Sequence, residues 1–227
     1  MDITLEIADL IRRNRISTTE VADALGKKGS ILGVNPINSL KYAVGKIRLC
    51  TPVDDSNYLL HRDIQNVQPG EILLVRPQNF TEVAVFGDLV AKYVLLYRQA
   101  AAIVVDGNIR DTSRLVREGY AIWCRGSNPV GAINSSTRVE SEYPSLQGSQ
   151  GIAVCDEGGV VIISAAECNA KTLAKLRYIE ALEDMWQYCL NTLKWSTFEI
   201  VVQKKYLTDT KDIPIELLRA IREAEKE

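Results

Sequence analysis

The sequence predicts an α/β fold with at least some parallel strand pairing, on three observations. Apolar runs of strand length, "EILLV", "AAIVVDG" and "YAIWC", recur through the central half of the chain and read as buried strands. Segments of helical spacing separate them, so strand, helix, strand, helix, strand alternate, an order that goes with helices layered on a sheet. The 227 residues, 46% hydrophobic and 25% charged, suit an ordinary globular protein with one sizeable core, or two small ones.

From the start of the chain, "LEIADLIRRN" has the apolar spacing of a helix. "ISTTEVADALGKKG" gives a second helix: Ser17 or Thr18 can cap it, Glu20 falls in capping-box range, and Gly26 and Gly29 can stop it. "YAVGKIRLCT" alternates as a strand, and "VDDSNYLLHRDIQNV" reads as a helix with Asp54 and Asp55 as its cap and first-turn charges. "PGEILLV" turns into a buried strand. "EVAVFGDLVAKYVLLYRQA" is helical in its second half and leads to the strand "AAIVVDG". After Asp111 come a short helix, "TSRLVREG", and a strand, "YAIWCRG". The stretch from Ser127 to Gly151 is polar and turn-rich, with room for one strand. "IAVCDEGGVVIIS" is a hairpin with Asp156 and Glu157 at its tip. A long amphipathic helix follows from Ala165, broken at most once, then a strand, "FEIVVQKKYL", and a last helix with Pro214 in its first turn. The expected division is a core over residues 1–169 and a helical extension over 170–227, packing on the core or on a neighbouring subunit. Trp186, Tyr188 and Trp195 of that extension read as core or subunit contacts.

Charge and residue usage narrow the function. With 27 basic and 29 acidic residues the net charge is −2, so no basic excess argues for a direct nucleic-acid partner. No window approaches 18 uninterrupted apolar residues and the N-terminus has no signal-peptide pattern, so a cytoplasmic chain with no membrane span is expected. The five cysteines, Cys50, Cys124, Cys155, Cys168 and Cys189, form no CxxC pair and read as small buried hydrophobes. One histidine, His61, excludes a multi-histidine metal site; among its apolar neighbours it reads as a packed or interface residue. Any metal must then be held mainly by oxygen, which favours Mg2+ or Mn2+ over Zn2+.

The stretch "IVVDGNIRDT" crowds Asp106, Arg110 and Asp111 into six residues directly after a buried apolar run. A polar turn would account for it, and Asp106-Gly107 is a common turn pair. So would a site for an anion and a cation, because ligands of α/β layers collect where buried strands end. Arg110 can grip a carboxylate in bidentate fashion and Asp111 beside it can ligate a hard cation. The loop after "EILLV" brings Gly87-Asp88 to a helix start, where backbone N–H groups are free. Arg125, ending the strand "YAIWC", is a candidate support for this cluster.

The order "DDSNYLLHRDIQNVQPGEILLV", "FGDLVAKYV", "AAIVVDGNIRD", "CRGSNPVGA", "VCDEGGVVII" resembles the RraA-like family, over roughly Ile16 to Ser164. That family includes the regulator of ribonuclease E activity A and class II 4-hydroxy-4-methyl-2-oxoglutarate aldolases. The resemblance implies a layered αββα-type sandwich, here with extra C-terminal helices, assembled as a homotrimer or hexamer with sites at subunit junctions. It implies that Arg110 binds the carboxylate of a 2-oxo acid and that Asp111 ligates Mg2+ or Mn2+. Asp88 would lie near the reacting centre and assist proton transfer, while Gly87, Leu89 and Val90 supply backbone around the substrate. The chemistry implied is retro-aldol cleavage or oxaloacetate decarboxylation, with pyruvate as product. A glutamate of a neighbouring subunit completes the aldolase site, and Glu180, Glu183 and Glu199 are available. The alternative is a non-catalytic regulator with a ribonuclease as partner. Three departures stand out: Asp88 to Arg110 is one residue longer than the family spacing, Arg114 stands where aldolases often carry an acid, and the family's Pro-Gly-Asp turn reads "GSQG" at Gly148 to Gly151.

Overall fold

The computed structural model describes residues 2–135 and 151–224. Among these, seven strands, β1 (Asn35–Pro36), β2 (Ala43–Cys50), β3 (Ile72–Val75), β4 (Ala102–Ile109), β5 (Ile122–Ser127), β6 (Gly151–Asp156) and β7 (Gly159–Ser164), pair in the order β1-β5-β4-β3-β2-β6-β7. The central pairs β2–β3, β3–β4 and β4–β5 are parallel, as the alternation predicts, and the outer pairs are antiparallel.

Strand β2 serves two half-sheets. Its Ile47–Cys50 pair with β3, while Ala43–Lys46 pair with β6, so the sheet curls back on itself there. Side chains alternate across each strand, and this sorts the core. The inward set, Ile72, Leu74, Ala102, Val104 and Trp123, meets Ala153, Cys155 and Val160 of the other half. Leu73, Val75, Ile103 and Val105 point outward, under the helices α3 (Tyr58–Asp63), α4 (Asp88–Lys92) and α5 (Thr112–Arg117). On the opposite side Ile152, Val154, Val161 and Ile163 lie under α1 (Ile3–Asn14), α2 (Thr18–Ala24) and the start of α6 (Ala170–Asn191). The layers therefore run helix, sheet, sheet, helix. Trp123, fully buried, donates its indole N–H to Asp156 O at 2.8 Å and so spans the seam between the half-sheets.

Several local expectations hold. Ser17 caps α2 in a full capping box with Glu20, and Gly26 and Gly29 follow it with positive φ. All five cysteines are buried and free. Other expectations are corrected. The segment "FEIVVQKKYL" is not a strand: Phe198–Val202 form a π-helical turn and Lys205–Leu207 a 3-10 turn. Ser196 and Glu199 cap it reciprocally, and only Ile200 and Tyr206 of the run are buried. These two, with Leu182, Met185, Cys189 and residues around α7 (Ile215–Ala224), form a separate small cluster. Asp54 and Asp55 do not cap α3, which starts after Asn57; both take left-handed backbone. Asp55 instead accepts from Thr81 N and Oγ1, and Asp54 from Asn79, which fastens the 79–81 loop. The strand expected between Ser127 and Gly151, and most of the "GSQG" turn, lie outside the described residues.

Candidate functional site

Strand β4 runs three residues past Val105–Asp106, so Asp106-Gly107 is no turn. It is a bulge: the register against β5 shifts between Val105 and Asn108. Asp106 there pairs with Arg125 at 2.6 Å, which places Arg125 beside β4 and not in the cavity below. The chain ends β4 at Ile109, and Asp111 reverses direction in the left-handed region (φ 59°) to start α5. Aspartate tolerates this conformation better than most residues. Arg114 N and Leu115 N close the turn on Asp111 O.

A second segment is locked against this strand end. Ala84 N donates to Val130 O at 2.7 Å, Val85 N to Asn108 O at 2.9 Å, and Arg110 N to Phe86 O at 2.9 Å. Gly87 then opens α4 with Asp88 as its first residue, and Asp88 N donates to Asp111 Oδ2 at 3.2 Å. The approach demands glycine: a Cβ on Gly87 would fall on Asp111 Oδ2 and lie 2.9 Å from Arg110 Cγ.

The charged side chains form two neighbouring pairs, joined by the Asp88 backbone N–H. Arg110 Nε is 3.7 Å from Asp111 Oδ2, and Arg114 Nη1 is 2.7 Å from Asp88 Oδ2. All four side chains, with Thr112, Ser113, Ser127 and Asn128, line a cavity of about 480 Å³. A second cavity of about 250 Å³ shares Asp88 and Arg110 and adds Gly87, Leu89, Val90, Asn57, His61 and Gly131. Thus the six sequence-predicted positions, Gly87, Asp88, Leu89, Val90, Arg110 and Asp111, lie around two adjoining cavities. The arrangement can grip small anions by guanidinium and backbone N–H, and it offers carboxylate oxygen to a hard cation.

Some of the lining was not legible. His61 is exposed rather than packed, and it borders both the second cavity and an apolar groove with Leu89, Val90 and Tyr93. Asn57 is buried, with Nδ2 on Val85 O at 3.3 Å and an Oδ1 that meets no donor among the described residues. Ser127 and Asn128 arrive because β5 runs parallel to β4 and ends at the same edge; the "CRGSNPVGA" run was the available signal. Glu180 and Glu183 sit on α6, in the opposite outer layer, where burial raises both carboxyl groups. Glu199 is held down to about 2 by Ser196 and Lys205. None of the three lines either cavity.

Comparison with known proteins identifies the family. A family model described as RraA-like, Aldolase/RraA, matches residues 18–162. A Halalkalibacterium halodurans protein provisionally named 4-hydroxy-4-methyl-2-oxoglutarate aldolase is 28% identical over 126 residues, 54% of this chain and 58% of the relative. The chain thus spans under two thirds of that protein. Streptomyces coelicolor RraAS2, described as an unusual member of the RNase ES inhibitor RraA family, superposes with a TM-score of 0.60 at 25% identity, over 78% of this chain and 94% of its own. An uncharacterised protein of Pseudomonas syringae pv. tomato has the same fold, with a TM-score of 0.65 at 21% identity, over 88% and 94%. Among the described residues no helix is long and apolar enough to cross a membrane. With its layered fold, its "GDL" and "VVDGNIRD" segments joined at one strand end and most of its length matched, the chain belongs to the RraA-like family.

Proposed function

We propose that this protein is a divalent-metal-dependent lyase. It cleaves a carbon–carbon bond in a short 2-oxo dicarboxylic acid, such as 4-hydroxy-4-methyl-2-oxoglutarate or oxaloacetate, and releases pyruvate. The observation that carries this reading is the convergence of Asp88, Arg110 and Asp111 on one polar cavity. Arg110 holds the carboxylate next to the oxo group through paired N–H···O bonds. Leu89 and Val90, in the first turn of α4, present N–H groups that have no partner within the helix and orient the same end. Asp88, through a water, takes the proton of the 4-hydroxyl and returns one to the methylene carbon of the departing pyruvate.

The donor set suits a hard cation. No three His, Cys, Asp or Glu side chains gather among the described residues, so an ion ligated wholly by protein does not fit. Mg2+ or Mn2+ held through one carboxylate, with water and substrate oxygens completing its shell, does fit. Asp111 would hold it, its side chain being two-fifths exposed at the cavity wall. When bound, the ion supplies positive charge to the 2-oxo oxygen as negative charge develops there. A homotrimer or hexamer belongs to the same reading, since Glu180, Glu183 and Glu199 reach such a site only from another subunit.

The second reading is a non-catalytic regulator that binds a ribonuclease. The Arg114–Asp88 ion pair favours it, because it occupies the carboxylate the lyase would use. Pyruvate formation from both acids, with Mg2+, Mn2+ or EDTA and a protein-free metal control, separates the two. Asp111→Asn is the matched variant, since asparagine also accepts left-handed backbone. Metal-dependent turnover that disappears in Asp111→Asn is expected. Turnover no faster than the metal alone would sink the lyase reading.

A further inference from the structure

Four charged residues stand in a line along the first cavity with a guanidinium at each end: Arg114 pairs with the Asp88 carboxylate, the Asp88 backbone N–H donates to the Asp111 carboxylate, and Arg110 lies beside Asp111. Two positive and two negative side chains cancel, so the wall carries no net charge of its own. Arg110 and Arg114 are both half exposed, at 50% and 56%, and each carries five N–H donors, more than its one carboxylate partner uses. A monoanion can satisfy only one end of this line. A divalent cation on Asp111 would leave the wall with an excess charge that a dianion balances.

Arg114 sits on α5, anchored apart from Arg110 on the strand end, and reaches across the cavity to the first residue of α4. The Arg114 side of its pair with Asp88 is open to solvent, although the Asp88 side chain is only about a quarter exposed; solvent screening keeps the pair's net worth modest, so an incoming carboxylate can displace Asp88 from it. Resting on the lyase reading above, we propose that Arg114 determines specificity by trading Asp88 for the distal carboxylate of a 2-oxo dicarboxylic acid. The exchange does two things at once. It selects the diacid over a 2-oxo monoacid of equal length, and it frees the Asp88 oxygen only when that diacid is in place. The residue that departs from the acidic family position thereby becomes the reader of the substrate's far end.

Calorimetric titration of the full chain in Mg2+ with 2-oxoglutarate and with 2-oxopentanoate tests this, since the two differ only in the distal carboxylate. The wild type is expected to bind the diacid at least tenfold more tightly. Arg114→Gln should bring the two affinities within twofold by weakening the diacid alone, and Arg114→Lys should keep part of the preference. Equal binding of both acids by the wild type overturns the inference and leaves the lyase reading standing. So does a preference that survives Arg114→Gln, or a loss shared equally by both acids, which marks a structural role. Binding of neither acid by the wild type overturns the reading of the site itself, and the inference with it.

Discussion

Two glycines set how closely the site's charged side chains can pack. Gly87 has ordinary extended backbone, so space and not conformation requires it there. Its missing Cβ is where Asp111 Oδ2 sits, and Arg110 Cγ and Nε lie 2.9 and 3.1 Å from the same point. Gly131 faces the far end of Arg110, with Nη1 2.7 Å from an ideal Cβ. The two substitutions to alanine should therefore differ. Gly87→Ala pushes on a side chain tethered by Asp88 N–H and on the stem of Arg110, so both functional groups move. On the lyase proposed above, we expect a folded protein with pyruvate formation reduced at least a hundredfold, since an ångström of misplacement costs about that much. Gly131→Ala displaces only a flexible guanidinium, so KM should rise several-fold while kcat and Tm stay close to the wild type. Steady-state kinetics and thermal melts on both variants check this. Wild-type kinetics in Gly87→Ala would show that Asp111 and Arg110 need not hold this geometry.

At the scale of elements, α2 illustrates what the sequence could reveal. Its N-terminus was legible because the capping partners, Ser17 and Glu20, are three residues apart, and Ser17→Ala should cost about 1 kcal/mol. Its anchor was not. Asp156 accepts from Thr18 N at 2.8 Å and Thr18 Oγ1 at 2.6 Å across 138 residues, and also from Gly158 N at 2.7 Å. A hairpin-tip carboxylate thus fastens one half-sheet to its outer helix. Asp156→Ala should cost about 2–4 kcal/mol, more than the cap, because charged acceptors contribute more and two buried-side donors lose their partner. Urea unfolding of the two variants ranks them, and a smaller loss for Asp156→Ala than for Ser17→Ala would contradict the anchor. The same distance rule separates the other elements. The buried strands and the Arg110-Asp111 pair are local patterns, readable as such. Asp55 on Thr81, and Arg114 on Asp88, span 26 residues each, and only the folded chain brings them together. The segment "FEIVVQKKYL" differs from its expected strand for a related reason: β-branched residues favour a strand, but the Ser196–Glu199 cap starts a helical turn there.

Over the whole molecule, the curled sheet leaves thiols where water does not reach. Cys155 lies between the half-sheets and Cys50 under the outer helices, and burial drives both well above the ordinary thiol value; Cys124 is pushed up to about 11. Cys50 is held further by Asp63, whose carboxylate lies 3.9 Å from its sulfur. This sets an alkaline limit on stability. Below the ordinary thiol value of about 8.5, folded and unfolded chains both keep these protons, and the thiols contribute no pH dependence. Above it the unfolded chain sheds protons that the folded chain retains, so the unfolded state gains and stability falls. The fall continues until pH reaches the raised folded values. For two deeply buried thiols the slope approaches about 2.7 kcal/mol per pH unit, at about 1.4 for each group. Tyr42, raised to about 12 by burial, adds nothing until pH passes the ordinary phenol value, about 10. Urea midpoints at pH 7.5, 8.5, 9.0 and 9.5 under reducing conditions should be flat at first and then drop. The double variant Cys50→Ala/Cys155→Ala will be less stable at pH 7.5, but its midpoint should fall less steeply above pH 8.5. An alkaline limb as steep as that of the wild type would assign the loss to other groups. Native thiols should also resist iodoacetamide at pH 8, because alkylation needs a thiolate that burial denies them.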